Sequence, residues 1–241
     1  MTLPEIHFWR DPSFRSAARQ MALDEALFHW SARTGLAAAR FYHWETPVLT
    51  LGYFHRAEPG DPPLPEGTVR RYTGGGLVEH GTDLTFVLTL PAGGEAARAT
   101  GMERYRWIHQ ALADALGDGG FPVALEPTRR SFEQGPCFSH PVAWDLRDPG
   151  TGKKIGGGAQ RRSRGAVIHQ GSVRLPEPLR DPRAGWISDF LRRLGETAVA
   201  LDESICAALS HDAAARERDR YGSADWNQRT GPSWNSSGKR V

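Results

Sequence analysis

Apolar residues alternate with polar or small ones in short runs through most of the chain, and this alternation predicts β-strands. The clearest run, from Leu84 to Leu90, predicts a buried strand that Pro91 closes. Two later runs flank Ser163-Arg164-Gly165, a turn sequence that predicts a hairpin. The predicted strands, in chain order, cover residues 6–9, 38–44, 48–53, 68–69, 84–90, 121–125, 142–147, 153–162 and 166–175.

Helical spacing of apolar residues occurs in fewer places. One helix is predicted from a cap at Ser13 to about Arg33, with Gly35 as its stop. A second is predicted from Met102 to Leu116, ended by Gly117. Two more are predicted over residues 186–193 and 197–209. Because the strands come in hairpins and do not alternate with helices, we predict an α+β fold. Its sheet is mixed and largely antiparallel, with helices packed on it.

Length and composition limit the class of protein. The chain has 241 residues, of which 39% are hydrophobic, and a net charge of +2. No apolar run approaches the ~20 residues of a membrane span, and the first nine residues lack an apolar signal core. These features predict a cytoplasmic protein with no membrane partner. We predict a catalytic domain over residues 1–210 and a polar, partly mobile extension over residues 211–241.

Net charge and cysteine content limit the kinds of partner that the protein is expected to bind. The nearly balanced charge argues against a dedicated nucleic-acid binder, and two cysteines do not form a disulfide framework. Basic residues are nevertheless paired at 70–71, 129–130, 153–154 and 161–162. If these pairs converge, they form a face for an acidic or phosphate-bearing partner.

The first glycine-rich segment follows a predicted strand and contains Arg71, Gly74, Gly75, Gly76 and His80. Three consecutive glycines let the backbone approach a ligand closely, because no Cβ stands in the way. Their N–H groups and the arginine suit an anionic group. A flexible hairpin with solvated arginines is an equal alternative, and the histidine either contacts a ligand or has a purely structural role.

The second glycine-rich segment begins with a lysine. Lys154 precedes Gly156, Gly157 and Gly158, so one ammonium group can point into a pocket wrapped by backbone. An exposed hairpin lysine is the alternative. Cys137 lies in a predicted loop, where a nearby cation would favour its thiolate, although a cysteine is often a small apolar filler.

Other candidate chemistry is weaker. Cys206 lies on a predicted helix and is expected to pack in the core. The histidines and cysteines show neither HExxH nor paired CxxC spacing, so we predict no metal site. No GxSxG segment marks a serine nucleophile.

Taken together, these segments resemble the family of lipoate–protein ligases, biotin–protein ligases and octanoyltransferases. Residues 21–27 are similar to the family's first helix. The segments similar to its motifs are residues 41–54 (rfy.W..P.ltLGyfQ), 70–80 (RR.tGGG.V.H), 152–160 (G.KI.GsAQ) and 166–173 (gvllQHGSI). The chain departs from the pattern at His55, where glutamine is usual, and at His169-Gln170, whose order is reversed.

The resemblance implies a tunnel for an eight-carbon acyl chain and assigns Lys154 as the essential lysine. Pro136-Cys137-Phe138 resembles the segment that carries a catalytic cysteine in one branch of octanoyltransferases. That branch takes the acyl group from acyl carrier protein and needs no cofactor. The acceptor it implies is an acidic lipoyl-domain protein or a glycine-cleavage H-type protein. Arg71, the glycines and His80 would line the substrate site.

Two other functions stay open. An ATP-dependent lipoate–protein ligase would use ATP and Mg²⁺. Such ligases usually have an accessory C-terminal domain or a separate accessory subunit, and the chain after Leu175 leaves little room for that domain. A non-catalytic binding or regulatory protein on the same fold would tolerate loss of Cys137 or Lys154. Within that class, a nucleic-acid binder would show binding that falls steeply with salt.

Overall fold

The computed structural model describes residues 1–56, 63–127 and 142–228, and the element bounds below refer to these ranges. The strands are β1 (Leu3–Arg10), β2 (Ala37–Tyr42), β3 (Val48–Leu51), β4 (Val69–Arg70), β5 (Val78–His80), β6 (Asp83–Leu90), β7 (Ala124–Leu125), β8 (Leu146–Arg147), β9 (Lys154–Ser163), β10 (Ala166–Arg174) and β11 (Gly195–Ala200). The helices are α1 (Ala17–Thr34), α2 (Glu95–Arg98), α3 (Gly101–Asp118), α4 (Glu177–Arg180), α5 (Gly185–Leu194), α6 (Glu203–Arg216) and α7 (Ala224–Asn227), with a π-helical turn over Glu217–Tyr221.

Eight strands form one sheet in the order β11-β1-β2-β6-β10-β9-β8-β7. The pairs β11–β1 and β1–β2 are parallel, and the other pairs in this sheet are antiparallel. A smaller sheet has the order β4-β3-β5. The predicted α+β fold with a mixed, largely antiparallel sheet is therefore confirmed.

Helices cover both faces of the large sheet. On one face, α3 and α5 pack against Phe86, Leu88 and Val167. On the other face, α1 and α6 pack against Val87 and Ile168. Neighbouring residues of the two central strands, β6 and β10, thus point to opposite cores, as the two-residue period of a strand requires.

Local signals set the helix ends, with two corrections to the predictions. The cap of α1 is Ser16, whose Oγ accepts the Arg19 N–H, and not Ser13. Gly35 ends this helix in the left-handed conformation, as predicted. Helix α3 continues through Gly117 and ends at Gly119, because an isolated glycine weakens a helix without breaking it.

Three predicted elements were wrong in part. The strand predicted over residues 121–125 is confined to β7. The strand predicted over residues 142–147 is confined to β8, because Trp144 has a φ of 72° and cannot continue a strand. The helix predicted over residues 197–209 begins only at Glu203. The preceding residues form β11, since the edge of β1 offers them a parallel hydrogen-bonding partner.

The C-terminal helices close over α1 and the small sheet. The buried carboxylate of Glu25 accepts hydrogen bonds from Arg220 and from the Tyr221 hydroxyl, the latter at 2.8 Å. The fully buried Arg70 donates to the Trp226 carbonyl at 2.8 Å, and the Trp226 indole N–H donates to the Arg70 carbonyl at 2.9 Å. The predicted domain boundary at residue 210 lies inside α6 and stays a prediction. Of the helices described, none combines the length and apolar character needed to cross a membrane.

Candidate active site

A pocket lies between the large and the small sheets and encloses about 470 Å³, part of it open to solvent. We call it the central pocket. It contains five of the predicted site residues: Arg71, Gly75, His80, Gly157 and Gly158. The rest of its wall is mainly apolar or small: Met21, Tyr42, Trp44, Val78, Thr85, Ala159, Gln170, Gly171 and Ser172.

Lys154 forms a buried ion pair at one end of this wall. Its Nζ lies 2.8 Å from Asp145 Oδ2, and the two side chains are only 3% and 1% exposed. The predicted lysine is therefore not an exposed hairpin residue. Burying a charged group costs free energy unless an opposite charge pairs with it. The ammonium and the carboxylate therefore hold each other in place at the end of the sheet.

Gly157 brings the ion pair against the pocket wall. A Cβ at this position would lie 2.8 Å from Asp145 Oδ1 and 2.9 Å from Lys154 Cε, closer than real Cβ contacts allow, and 3.0 Å from Lys154 Nζ. The absence of a side chain thus lets the ammonium group approach the backbone that lines the pocket.

Two residues that the sequence analysis missed hold the lysine's partner. Tyr105 donates its hydroxyl to Asp145 Oδ1 at 2.5 Å and accepts the Gly158 N–H at 2.9 Å. The Val142 N–H donates to Asp145 Oδ2 at 2.7 Å. No sequence motif contains Tyr105, which lies on helix α3, or Val142 and Asp145, which lie in a turn.

His109 secures the turn that carries Asp145. Its Nδ1 lies 2.7 Å from the carbonyl oxygen of Trp144, the residue with positive φ. Burial lowers the pKa of His109 to about 4, so the imidazole is neutral near pH 7 and its Nδ1–H donates. Its ring also packs on Tyr105 with centroids 3.9 Å apart. We interpret His109 as a positioning residue for Asp145.

Arg71 organises the first glycine segment from inside. It is 6% exposed and donates through Nη2 to the carbonyls of Gly74 at 3.0 Å and Gly76 at 2.7 Å. The glycines at 74 and 76 thus bind the arginine through their carbonyls. Gly75, with a φ of 85°, faces the pocket. The alternative of a flexible hairpin with solvated arginines is wrong.

His80 belongs to a buried network at the other end of the pocket. Its Nδ1 lies 2.7 Å from Asp83 Oδ2, and its Nε2 lies 2.9 Å from Thr50 Oγ1. Burial alone would raise the pKa of Asp83. The His80 imidazole and hydrogen bonds from Ser172 and Gly81 outweigh burial and hold that pKa far below its usual range. His80 is therefore a wall residue with a fixed orientation.

The reversed pair His169-Gln170 puts glutamine at the pocket. Gln170 donates through Nε2 to Asp24 at 2.7 Å and accepts the Thr73 hydroxyl at 2.7 Å. His169 points to the opposite core, where it stacks on Phe86. Burial lowers its pKa well below the usual value, so this imidazole is neutral. The other departure, His55, offers its carbonyl to Arg70 at 2.6 Å.

The two cysteines differ in what the structure shows of them. Cys137 lies outside the described residues, five positions before Val142 in the sequence. Cys206 is half-buried against the core beneath α6, and burial raises the pKa of its thiol. A raised pKa disfavours the reactive thiolate, in agreement with the packing role expected for Cys206.

The family model and the known sequences similar to this chain agree on one protein family. Residues 16–180 match the model of the lipoyl protein ligase A/B catalytic domain. The octanoyltransferase LipM of Bacillus cereus is 35% identical over 174 residues, which cover 66% of this chain and 62% of that protein. The octanoyltransferase LipM of an Exiguobacterium species is 32% identical over 239 residues, covering 89% of this chain and 84% of that protein. The chain spans about three fifths of the length of the first of these relatives.

Solved structures show the same fold. Lipoate-protein ligase A bound with ATP superposes with a TM-score of 0.66 at 19% identity, over 95% of this chain and 99% of that one. A bi-partite lipoate protein ligase from Thermoplasma acidophilum gives 0.64 at 19% identity, over 97% and 100%. The family model covers well over half of the chain. The resemblance inferred from the motifs is confirmed: this chain belongs to the lipoyl protein ligase A/B catalytic domain family.

Proposed function

We propose that this protein transfers an octanoyl or lipoyl group from acyl carrier protein to a lysine of a lipoyl-domain protein, through an acyl-cysteine at Cys137. The observation that carries the proposal is the buried ammonium of Lys154, held against the backbone of Gly157 at the wall of the central pocket. The relatives named octanoyltransferase support this activity over that of a ligase.

The central pocket has the chemistry of an acyl-chain site. Met21, Val78 and Ala159 give it apolar surface, and Trp44 and Tyr42 add aromatic rings. Its polar wall residues are hydrogen-bonded within the protein, as the partners of Arg71, His80 and Gln170 show. An apolar chain would therefore leave none of these three groups without a partner.

The first step exchanges one thioester for another. The Cys137 thiolate attacks the carbonyl carbon of the donor thioester, a new C–S bond forms, and the carbonyl electrons move onto oxygen. The Lys154 ammonium stabilises this oxyanion. The oxyanion collapses, the original C–S bond breaks, and the carrier leaves as a thiolate, which takes up a proton. Since both ends are thioesters, the step is nearly balanced in free energy.

The second step forms an amide. A neutral lysine amine of the acceptor attacks the acyl-cysteine carbonyl, a C–N bond forms, and the C–S bond to Cys137 breaks. The amine gives up one proton, and the cysteine returns as thiolate or thiol. The amide is much more stable than the thioester, so this step is downhill. Covalent catalysis thus divides one transfer into two easier steps.

The proposed function is tested with purified protein, octanoyl carrier protein and a lipoyl domain, without nucleotide. We expect the acceptor to gain one octanoyl group in its intact mass. Modification that requires ATP and free octanoate or lipoate, with none from the carrier thioester, would make the protein a ligase. Acceptor that stays unmodified under both conditions would favour the binding or regulatory alternative.

A further inference from the structure

We propose that a cationic groove beside the central pocket binds the phosphate of the donor's phosphopantetheine arm, an inference that rests on the proposed function. The groove lies between α1, the β9–β10 turn and the C-terminal helices and encloses about 1250 Å³, including open space. The residues that matter for this proposal are Arg33, Tyr53, Tyr72, Arg161, Arg164 and Arg220.

Two aromatic rings hold the guanidinium of Arg161 in an orientation in which it can bind an anion. Its guanidinium lies 4.1 Å from the ring centroid of Tyr53 and 4.0 Å from that of Tyr72. Nη1 donates to the Tyr72 carbonyl at 3.3 Å, which further fixes the plane. The other N–H groups of Arg161 form no hydrogen bond with the part of the chain that the structure describes. A planar guanidinium held in this way presents paired donors that match phosphate oxygens.

The groove carries more positive than negative charge. Arg220 is paired with the buried Glu25. Arg33, Arg161 and Arg164 form no ion pair within residues 1–56, 63–127 and 142–228. Three guanidinium groups that have no carboxylate partner within these residues lie along one concave surface, and such a surface favours a multiply charged anion such as phosphate.

The position of the groove fits a ligand that also reaches the central pocket. Gly157, Ala159 and Arg161 alternate along β9, so all three face the same side of the sheet. Gly157 and Ala159 line the central pocket, and Arg161 lines the groove. Arg161 lies four residues further along the strand than Gly157, a distance of about 13 Å. Phosphopantetheine carries its thiol and its phosphate at opposite ends of an extended chain, and therefore fits two sites separated in this way.

The test compares two soluble donors that differ by one phosphate: octanoyl-pantetheine and octanoyl-phosphopantetheine. The variant is Arg161→Gln, and the matched control is Arg162→Gln. Arg162 is the next residue of β9, points to the other face and donates to the Ala99 carbonyl at 2.8 Å. Calorimetric binding of phosphopantetheine and pantetheine to the same proteins gives the comparison without turnover.

We expect Arg161→Gln to raise KM for the phosphorylated donor by about tenfold, the effect of losing one charge-assisted hydrogen bond. KM for octanoyl-pantetheine should stay unchanged, and Arg162→Gln should change neither. An equal rise for both donors, or a rise in KM for the lipoyl domain alone, would overturn the proposal. If the wild type transfers neither from these donors nor from octanoyl carrier protein yet binds phosphopantetheine through Arg161, the proposed function fails and the groove assignment holds. If binding is insensitive to Arg161, the groove assignment fails.

Discussion

Among single residues, we expect the buried ion pair of Lys154 and Asp145 to contribute both to the free energy of unfolding and to the rate of transfer. Lys154→Met keeps the apolar stem and removes the ammonium, leaving a buried carboxylate with Tyr105 and Val142 as donors. We expect a loss of about 3–5 kcal/mol in the free energy of unfolding, because one member of a buried pair is removed. Transfer should fall by about 100-fold or more, the effect of losing one oxyanion donor. Urea denaturation and initial rates measure the two effects.

A double variant separates these effects. Asp145→Asn in the Lys154→Met background should recover part of the lost stability, since neither charge is then buried alone. It should recover none of the rate. Normal transfer by Lys154→Met would contradict the role that we assign to the lysine.

Gly157 offers a test of the distance between the lysine and the pocket wall. In Gly157→Ala the new Cβ would crowd Lys154 and Asp145, so we expect the ion pair to shift from its present position. We expect kcat to fall by as much as about 100-fold, the usual effect of a 1 Å displacement in an active site. Gly117→Ala is the matched control, because nothing lies within 4 Å of its Cβ. It should keep full activity and gain up to about 1 kcal/mol of helix stability. Equal rates for the two variants would contradict the geometry.

Among the site residues, those that lie in sequence motifs could be predicted, whereas those that hold the motif residues in position were missed. Lys154 and the two glycine segments could be identified because their spacing is distinctive. Tyr105 and His109 belong to an ordinary amphipathic helix, and Asp145 to a turn mispredicted as a strand. Their roles depend on contacts between distant segments, which a single sequence does not display.

Between elements, the contact of α1 with the C-terminal π-helical turn depends on pH. Burial alone would raise the pKa of Glu25, but His29, Tyr221 and Arg220 lower it from the ordinary 4.5 to about 2. The folded state therefore binds this proton less readily than the unfolded state does. Its contribution to stability is fully present above about pH 5 and is lost as pH falls from 4.5 towards 2.

Glu25→Gln measures that contribution. Above pH 5 we expect the variant to be less stable by roughly 1–3 kcal/mol, with the difference shrinking as pH falls below 4.5. The control is Glu217→Gln, whose partner Arg19 lies 3.1 Å away at the surface and whose loss should cost less than about 1 kcal/mol. Denaturation curves between pH 3.5 and pH 8 provide the data. A stability difference for Glu25→Gln that does not change with pH would contradict the account.

The elements predicted correctly are those that carry a strong signal in their own local sequence. The β9–β10 hairpin has a turn signal between two alternating runs, and β6 has a long apolar run. Strand β11 was missed because Gly195-Glu196-Thr197-Ala198-Val199-Ala200 has little strand character of its own. It is a strand because β1, almost 200 residues earlier, pairs with it.

For the whole molecule, the two sheets enclose the central pocket, and the C-terminal helices pack on the small sheet. Arg70 of β4 links the small sheet to these helices, because it donates to the carbonyls of Gly52 and His55 on one side and of Trp226 on the other. Gly52 permits the small sheet to approach the glycine segment, since a Cβ there would lie 1.8 Å from the Gly75 carbonyl oxygen. The fold class followed from the order of hairpins and helices. The pocket itself results from the packing of sheet on sheet.

The central claim, transfer through an acyl group on Cys137, is tested most directly by intact-mass analysis with octanoyl carrier protein and no acceptor. We predict one octanoyl adduct that neutral hydroxylamine removes, as expected for a thioester. Cys137→Ala should abolish both adduct and transfer, whereas Cys206→Ala, which changes a half-buried packing residue, should abolish neither. The absence of an adduct, together with near-normal transfer by Cys137→Ala, would contradict the acyl-cysteine mechanism.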